Sequence, residues 1–103
     1  HDILTNKEVI AVDQDPLGRQ GFRVSKAAGG EIWIKLLEKG DLAVALFNRT
    51  TSMMSVTAYW AIIGVEGKRK VRDLWLGRDL GSYRESYSAE VPAHGVVLLR
   101  ILR

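Results

Sequence analysis

The chain has 103 residues, room for one ordinary domain and too few for two. Its 47% hydrophobic and 26% charged residues are the composition of a folded globular protein and exclude a disordered tail; no apolar run approaches the roughly 18 residues of a membrane-spanning helix. The formal charge is only +3 and spread along the chain, and the absence of cysteine excludes disulfides and thiolate metal sites.

The first segment, Ile3 to Val12, starts like a helix. Thr5 is placed to cap it with Glu8 three residues on, and Leu4 can staple onto Val9. Asp15-Pro16-Leu17-Gly18 then reads as a tight turn, with proline setting φ at its second position. A helix this short is marginal in water without a partner, and the partner is expected outside the chain. Its apolar residues should then be exposed, frayed or buried against a second copy.

From Gly21 onward the pattern has period two, broken about every ten residues by Gly, Asn, Asp or Pro. Phe22 and Val24 share a face, as do Ile32, Ile34 and Leu36. A turn at Lys39-Gly40-Asp41 leads into Leu42 to Phe47, apolar on both faces as a central strand should be. Further strands are expected over Met53 to Tyr59, Lys70 to Trp75, Tyr83 to Val91 and Val96 to Leu102, while Trp60 to Gly64 reads as a helical turn or a crossover loop. About seven short strands predict an all-β, antiparallel Greek-key sandwich preceded by one short helix.

Few residues offer chemistry. Two histidines, one of them His1, cannot build a zinc site, and His94 before the final strand reads as a turn residue whose imidazole ties to the backbone. The carboxylate pairs Asp13/Asp15 and Asp73/Asp79 fit turns, caps or salt bridges better than acid–base catalysis, and there is no Gly-x-Ser-x-Gly nucleophile elbow. Lys68, Arg69, Lys70 and Arg72 form the one dense basic patch; without base-stacking aromatics it reads as a solvated loop rather than a nucleic-acid surface. Trp33, Trp75, Tyr83 and Tyr87 are the candidates for stacking on sugar rings, if exposed; at strand spacing such residues are more often core. Asn48-Arg49-Thr50 matches the N-glycosylation triplet, with a plain turn asparagine as the default reading.

Three segments together resemble one family. Leu4-Thr5-Asn6-Lys7-Glu8-Val9-Ile10-Ala11-Val12-Asp13-Gln14-Asp15-Pro16-Leu17-Gly18 is similar to the segment closing the catalytic barrel in glycoside hydrolase family 27, the α-galactosidases or melibiases, with Asp13 where asparagine is common. Val71-Arg72-Asp73-Leu74-Trp75 with Asp79 and Gly81, and Val91-Pro92-Ala93-His94-Gly95-Val96, resemble hallmarks of that family's C-terminal β domain.

The resemblance implies a (β/α)8 barrel followed by a Greek-key sandwich. Residues 1–20 would be the barrel's last helix and connecting turn, and residues 21–103 the C-terminal domain. It also implies retaining hydrolysis of terminal α-linked galactose by two aspartates that the family carries upstream, so no catalytic residue is assigned to this chain. The sugar is left open, because α-N-acetylgalactosaminidases and β-arabinopyranosidases look similar in this tail. The implied role is a structural accessory domain that packs on the barrel of the same parent chain through Val9, Ile10, Val12 and Asp15. The alternative is a carbohydrate-binding module using Trp33, Trp75, Tyr83 and Tyr87. No cofactor, metal, nucleic acid or membrane is expected as a partner, self-association is left open, and the parent is expected to be secreted, periplasmic or lysosomal.

Overall fold

A computed structural model describes residues 6–103. The expected cap and staple, Thr5 and Leu4, lie outside these residues. The cap that is described is Asn6, whose side-chain oxygen accepts from the amides of Glu8 and Val9 at 3.0 and 3.1 Å and starts helix α1 (Lys7–Asp13). The turn that follows forms as read from the sequence: the Gly18 amide donates to the Asp15 carbonyl at 2.9 Å, and the Asp15 carboxylate accepts from the Leu17 amide.

Eight strands follow, one more than the alternation suggested: β1 (Phe22–Ala27), β2 (Gly30–Leu36), β3 (Leu42–Asn48), β4 (Met54–Tyr59), β5 (Arg69–Asp73), β6 (Arg78–Tyr83), β7 (Ser86–Val91) and β8 (Val96–Ile101). A one-turn helix α2 (Trp60–Ile63) stands between β4 and β5, where a helical turn was one of two readings. All strand pairs are antiparallel. The larger sheet has the order β1-β2-β3-β8-β5-β6 and the smaller holds only β4 and β7. The chain changes sheet after β3, α2, β6 and β7, and β8 returns to lie between β3 and β5, which gives the expected Greek-key sandwich.

Two sequence expectations are corrected here. The run from Tyr83 to Val91 is not one strand: β6 ends at Tyr83 in the large sheet and β7 begins at Ser86 in the small one. Only Leu80 and Tyr83 of β6 reach the core, so its polar residues hide the strand from a hydrophobicity reading. Trp75 is not in a strand either, because β5 stops at Asp73, whose carboxylate accepts from the Leu76 amide and turns the chain toward Gly77.

Local chemistry explains the tight connections. The β1–β2 hairpin has a two-residue loop, Ala28-Gly29, with φ of 52° and 87°. Glycine is needed at 29, since a Cβ there would run into the Thr50 side chain, whereas Ala28 carries the strain of a left-handed alanine.

The main core lies between the sheets. Ile32 and Ile34 of β2, Val44 and Leu46 of β3 and Leu99 and Ile101 of β8 face Val56 and Ala58 of β4 and Val91 of β7. Two strands cannot cover six, and α2 adds Trp60 and Ile63 to this core. A second, smaller core sits on the opposite face of the large sheet, where Val12 of α1 is buried with Leu37, Ala43 and Leu74, and Val9 and Leu98 pack against them. The expectation of a helix without a partner in its own chain is thereby corrected: α1 finds one in the sheet, because β3 presents apolar side chains on both of its faces.

Candidate interdomain surface

The outer face of the large sheet is set by register. Trp33 of β2 stands beside Ala45 of β3, and Ala45 beside Leu98 of β8. One step along on either side are Lys35, Ala43 and Arg100, and then Glu31, Phe47 and Val96. Helix α1 covers this face at the level of Ala43. Next to it an apolar groove of about 130 Å³ stays open, lined by Val12, Trp33, Ala45 and Leu98.

Polar contacts fix α1 at both ends. At its start, the Asn6 side-chain Nδ2 donates to the carbonyls of Leu74 and Trp75 at 3.0 and 3.2 Å. Glu8, whose expected capping partner Thr5 lies outside the described residues, pairs with Arg72 at 2.6 Å, and Arg72 continues to Asp79 at 2.7 Å and to the Gly77 carbonyl at 2.8 Å. Hydrogen bonds to these two carboxylates hold the Arg72 guanidinium protonated well above its ordinary range. At the other end the Lys35 ammonium donates to the Val12 carbonyl at 2.6 Å, where the negative pole of the helix favours a cation. Asp15 accepts from the Glu38 amide at 3.0 Å and so joins the segment after α1 to the β2–β3 turn.

A second polar cluster borders the groove on the side of the β1–β2 hairpin. Glu31, buried to 7% exposure, accepts from the Trp33 indole at 3.1 Å and from Arg49 at 3.2 Å, with Arg23 at 3.8 Å. Arg49 also lies over the Phe47 ring, 4.6 Å from its centre. The Trp33 hydrogen bond, and after it the Arg49 contact, hold the Glu31 carboxyl below its ordinary value despite partial burial. A carboxyl whose folded pKa lies below its unfolded one stabilises the fold above the unfolded value and loses that contribution as pH falls through the folded one. Glu31→Gln is therefore expected to be less stable than the parent at neutral pH and to lose less on acidification to about pH 3. Denaturant midpoints across pH test this, and parallel curves for the two proteins would remove Glu31 from the account.

The residues singled out in the sequence fall in several places. Val12 and Asp15 are buried within the chain, while Val9 and Ile10 are half-buried. Of the aromatic candidates, Trp33 lines the groove and Trp75 is half-buried at the β5–β6 turn, its indole N–H without a partner among the described residues. Tyr83 and Tyr87 meet edge to face at 4.9 Å, one from each sheet, against the main core, and burial raises the Tyr87 phenol. The four rings therefore do not form one flat exposed row. His94 ties its turn through the main chain, its backbone amide donating to the Thr50 carbonyl at 3.1 Å from a left-handed conformation with φ of 55°, and its imidazole makes no hydrogen bond among the described residues. Asp73 and Asp79 serve a turn and an ion pair. No three His, Asp or Glu side chains converge as metal ligands among the described residues, and no described helix is long and apolar enough to cross a membrane.

The most structurally consequential residue that sequence reasoning undervalued is Asn48. Its side-chain amide donates to the Ser52 and Val91 carbonyls at 2.7 and 2.8 Å, and its oxygen accepts from the Thr50 amide and hydroxyl at 2.8 and 2.7 Å. The nitrogen to which a glycan would attach is thus consumed at a residue only 1% exposed.

Comparison with known proteins agrees with this architecture. Residues 27–101 match the family model described as the alpha galactosidase C-terminal beta sandwich domain. A probable alpha-galactosidase of Dictyostelium discoideum is 41% identical over 96% of this chain and 27% of its own length. Among solved structures, alpha-galactosidase I of Mortierella vinacea superposes with a TM-score of 0.92 at 34% identity, over 96% of this chain and 27% of the other. A family 27 β-L-arabinopyranosidase of Geobacillus stearothermophilus gives 0.91 at 28% identity, over 98% of this chain and 23% of the other. The chain thus spans about a quarter of the length of the relatives it matches. Sequence, topology and superposition agree that the chain belongs to the family of C-terminal β-sandwich domains of α-galactosidases.

Proposed function

We propose that this domain is a non-catalytic scaffold of a glycoside hydrolase that cleaves terminal α-linked galactose, and that it packs on the catalytic barrel through the outer face of its large sheet. The observation that carries the reading is the open groove between Trp33, Ala45 and Leu98, beside a helix already fixed to the same face. An apolar sheet face next to an anchored helix is the surface that a second domain covers. Val9 and Ile10, half-buried in the chain alone, extend it. The galactose specificity follows the names of the relatives, and the arabinopyranosidase among the neighbours marks pentopyranose as the rival substrate.

The test uses Ala45→Arg in this chain and in the longer protein. In the chain alone the long side chain can run along the groove to water, and the expected loss is within about 1 kcal/mol. In the longer protein, calorimetry is expected to resolve two transitions where the parent gives one. A single, unshifted transition in the longer variant would exclude this face as the contact.

A further inference from the structure

A second concavity, about 390 Å³ in volume, lies at the end of the sandwich that carries the Glu38–Gly40 turn. Its floor is apolar, with Leu37, Leu42 and Ile63 buried beneath it, and Leu17 and Leu36 stand at the mouth, 49% and 37% exposed. Three cations, Arg19, Lys39 and Arg69, line the same hollow. The one carboxylate in the lining, Asp41, is already used: it accepts from the Arg100 side chain and from the Arg103 amide, both at 2.9 Å.

Arg23, Arg49, Arg72 and Arg100 all have carboxylate partners, whereas Arg19, Lys39 and Arg69 have none among the described residues. The aliphatic part of the Arg103 side chain packs on this turn, so closely that a Cβ on Gly40 would lie 2.7 Å from it. Lys39 itself sits at φ 62°, a left-handed conformation in which a lysine is strained. A hollow with this floor and rim attracts carboxylates and accepts an apolar side chain between them. A second copy of this chain is disfavoured as occupant, because it would bring the same cations toward one another.

We propose that this groove docks an acidic segment of a partner protein, one that places a leucine-sized apolar side chain on the Leu37–Leu42–Ile63 floor and carboxylates against Arg19, Lys39 and Arg69. The proposal stands on the end of the sandwich and does not depend on the reading of the outer sheet face.

The experiment is a fluorescence anisotropy titration of the 103-residue chain with the fluorescein-labelled peptide Glu-Glu-Leu-Glu-Glu. Saturable binding is expected, weakened by about tenfold or more in the double variant Lys39→Glu, Arg69→Glu and by raised salt. Replacing leucine by serine in the peptide should weaken binding comparably. Both substituted residues lie on the rim, and a circular dichroism spectrum like that of the parent verifies that the variant folds. Absence of saturation, equal binding of a lysine-for-glutamate peptide, or indifference to the charge reversal would overturn the proposal. So would sedimentation showing that the chain alone forms a dimer that the double variant dissolves, since the groove would then belong to a second copy.

Discussion

Replacing Asn48 with alanine is expected to cost the folded chain about 3 kcal/mol, a large part of the roughly 5–15 kcal/mol by which domains of this size are stable. The residue is 1% exposed and closes four hydrogen bonds at the end of β3. One of them reaches the Val91 carbonyl at the end of β7, so the side chain joins the large sheet to the small one. Alanine would remove the side-chain donor that ties β3 to the Val91 carbonyl and would release the turn that runs through Thr50 and Ser52. Asn48→Asp keeps the shape but turns a donor toward two carbonyl oxygens into a carboxylate facing them, and it is expected to be at least as damaging near neutral pH. Urea unfolding monitored by tryptophan fluorescence measures both. A loss under about 1 kcal/mol for the alanine variant would mean that the layers are joined by other means.

Trp60→Ala is expected to have an effect of similar size, about 3–5 kcal/mol. Trp60 opens α2 and is 3% exposed in the main core, where the small sheet leaves the large one uncovered. Its indole N–H bridges the carbonyls of Gly67 and Tyr83, both at 3.1 Å, so one ring packs the core and fastens the α2–β5 loop to the end of β6. Trp60→Phe retains much of the packing and gives up the bridge, for an expected loss of about 1–2 kcal/mol. The ratio of the two losses, read from thermal or denaturant midpoints, separates packing from hydrogen bonding. Equal losses would assign the whole role to the bridge.

What was legible in the sequence follows from what alternation encodes. β3 could be read because Leu42 to Phe47 is apolar without a break, and that property also creates the outer face on which α1 sits. β6 could not, because Arg78-Asp79-Leu80-Gly81-Ser82-Tyr83 sends only two side chains to the core. The contact between Glu8 and Arg72 joins residues 64 positions apart, and each had a local explanation, a cap and a basic patch, which concealed it. Asn48 looked like a turn residue from its neighbours alone, and its hydrogen bond to Val91 spans 43 positions. Periodicity reports which face a residue occupies and says nothing of the distant residue it meets there. The helix shows the same limit: its apolar stripe was visible in sequence, and the sheet that receives it was not.

The place of β8 also has a consequence in time. The hairpins β1-β2-β3 and β5-β6 are the two halves of the large sheet, and Val96–Ile101 is the strand through which they are joined. On a ribosome the earlier strands emerge first and can pair locally, yet the sheet cannot close until this strand has left the exit tunnel. Assembly is thereby deferred to the end of synthesis of this region and depends on contacts distant in sequence, a topology that folds slowly. Until then the edge of β3 that receives Val96–Ile101 stays unpaired, and an open strand edge is prone to aggregate over the same interval.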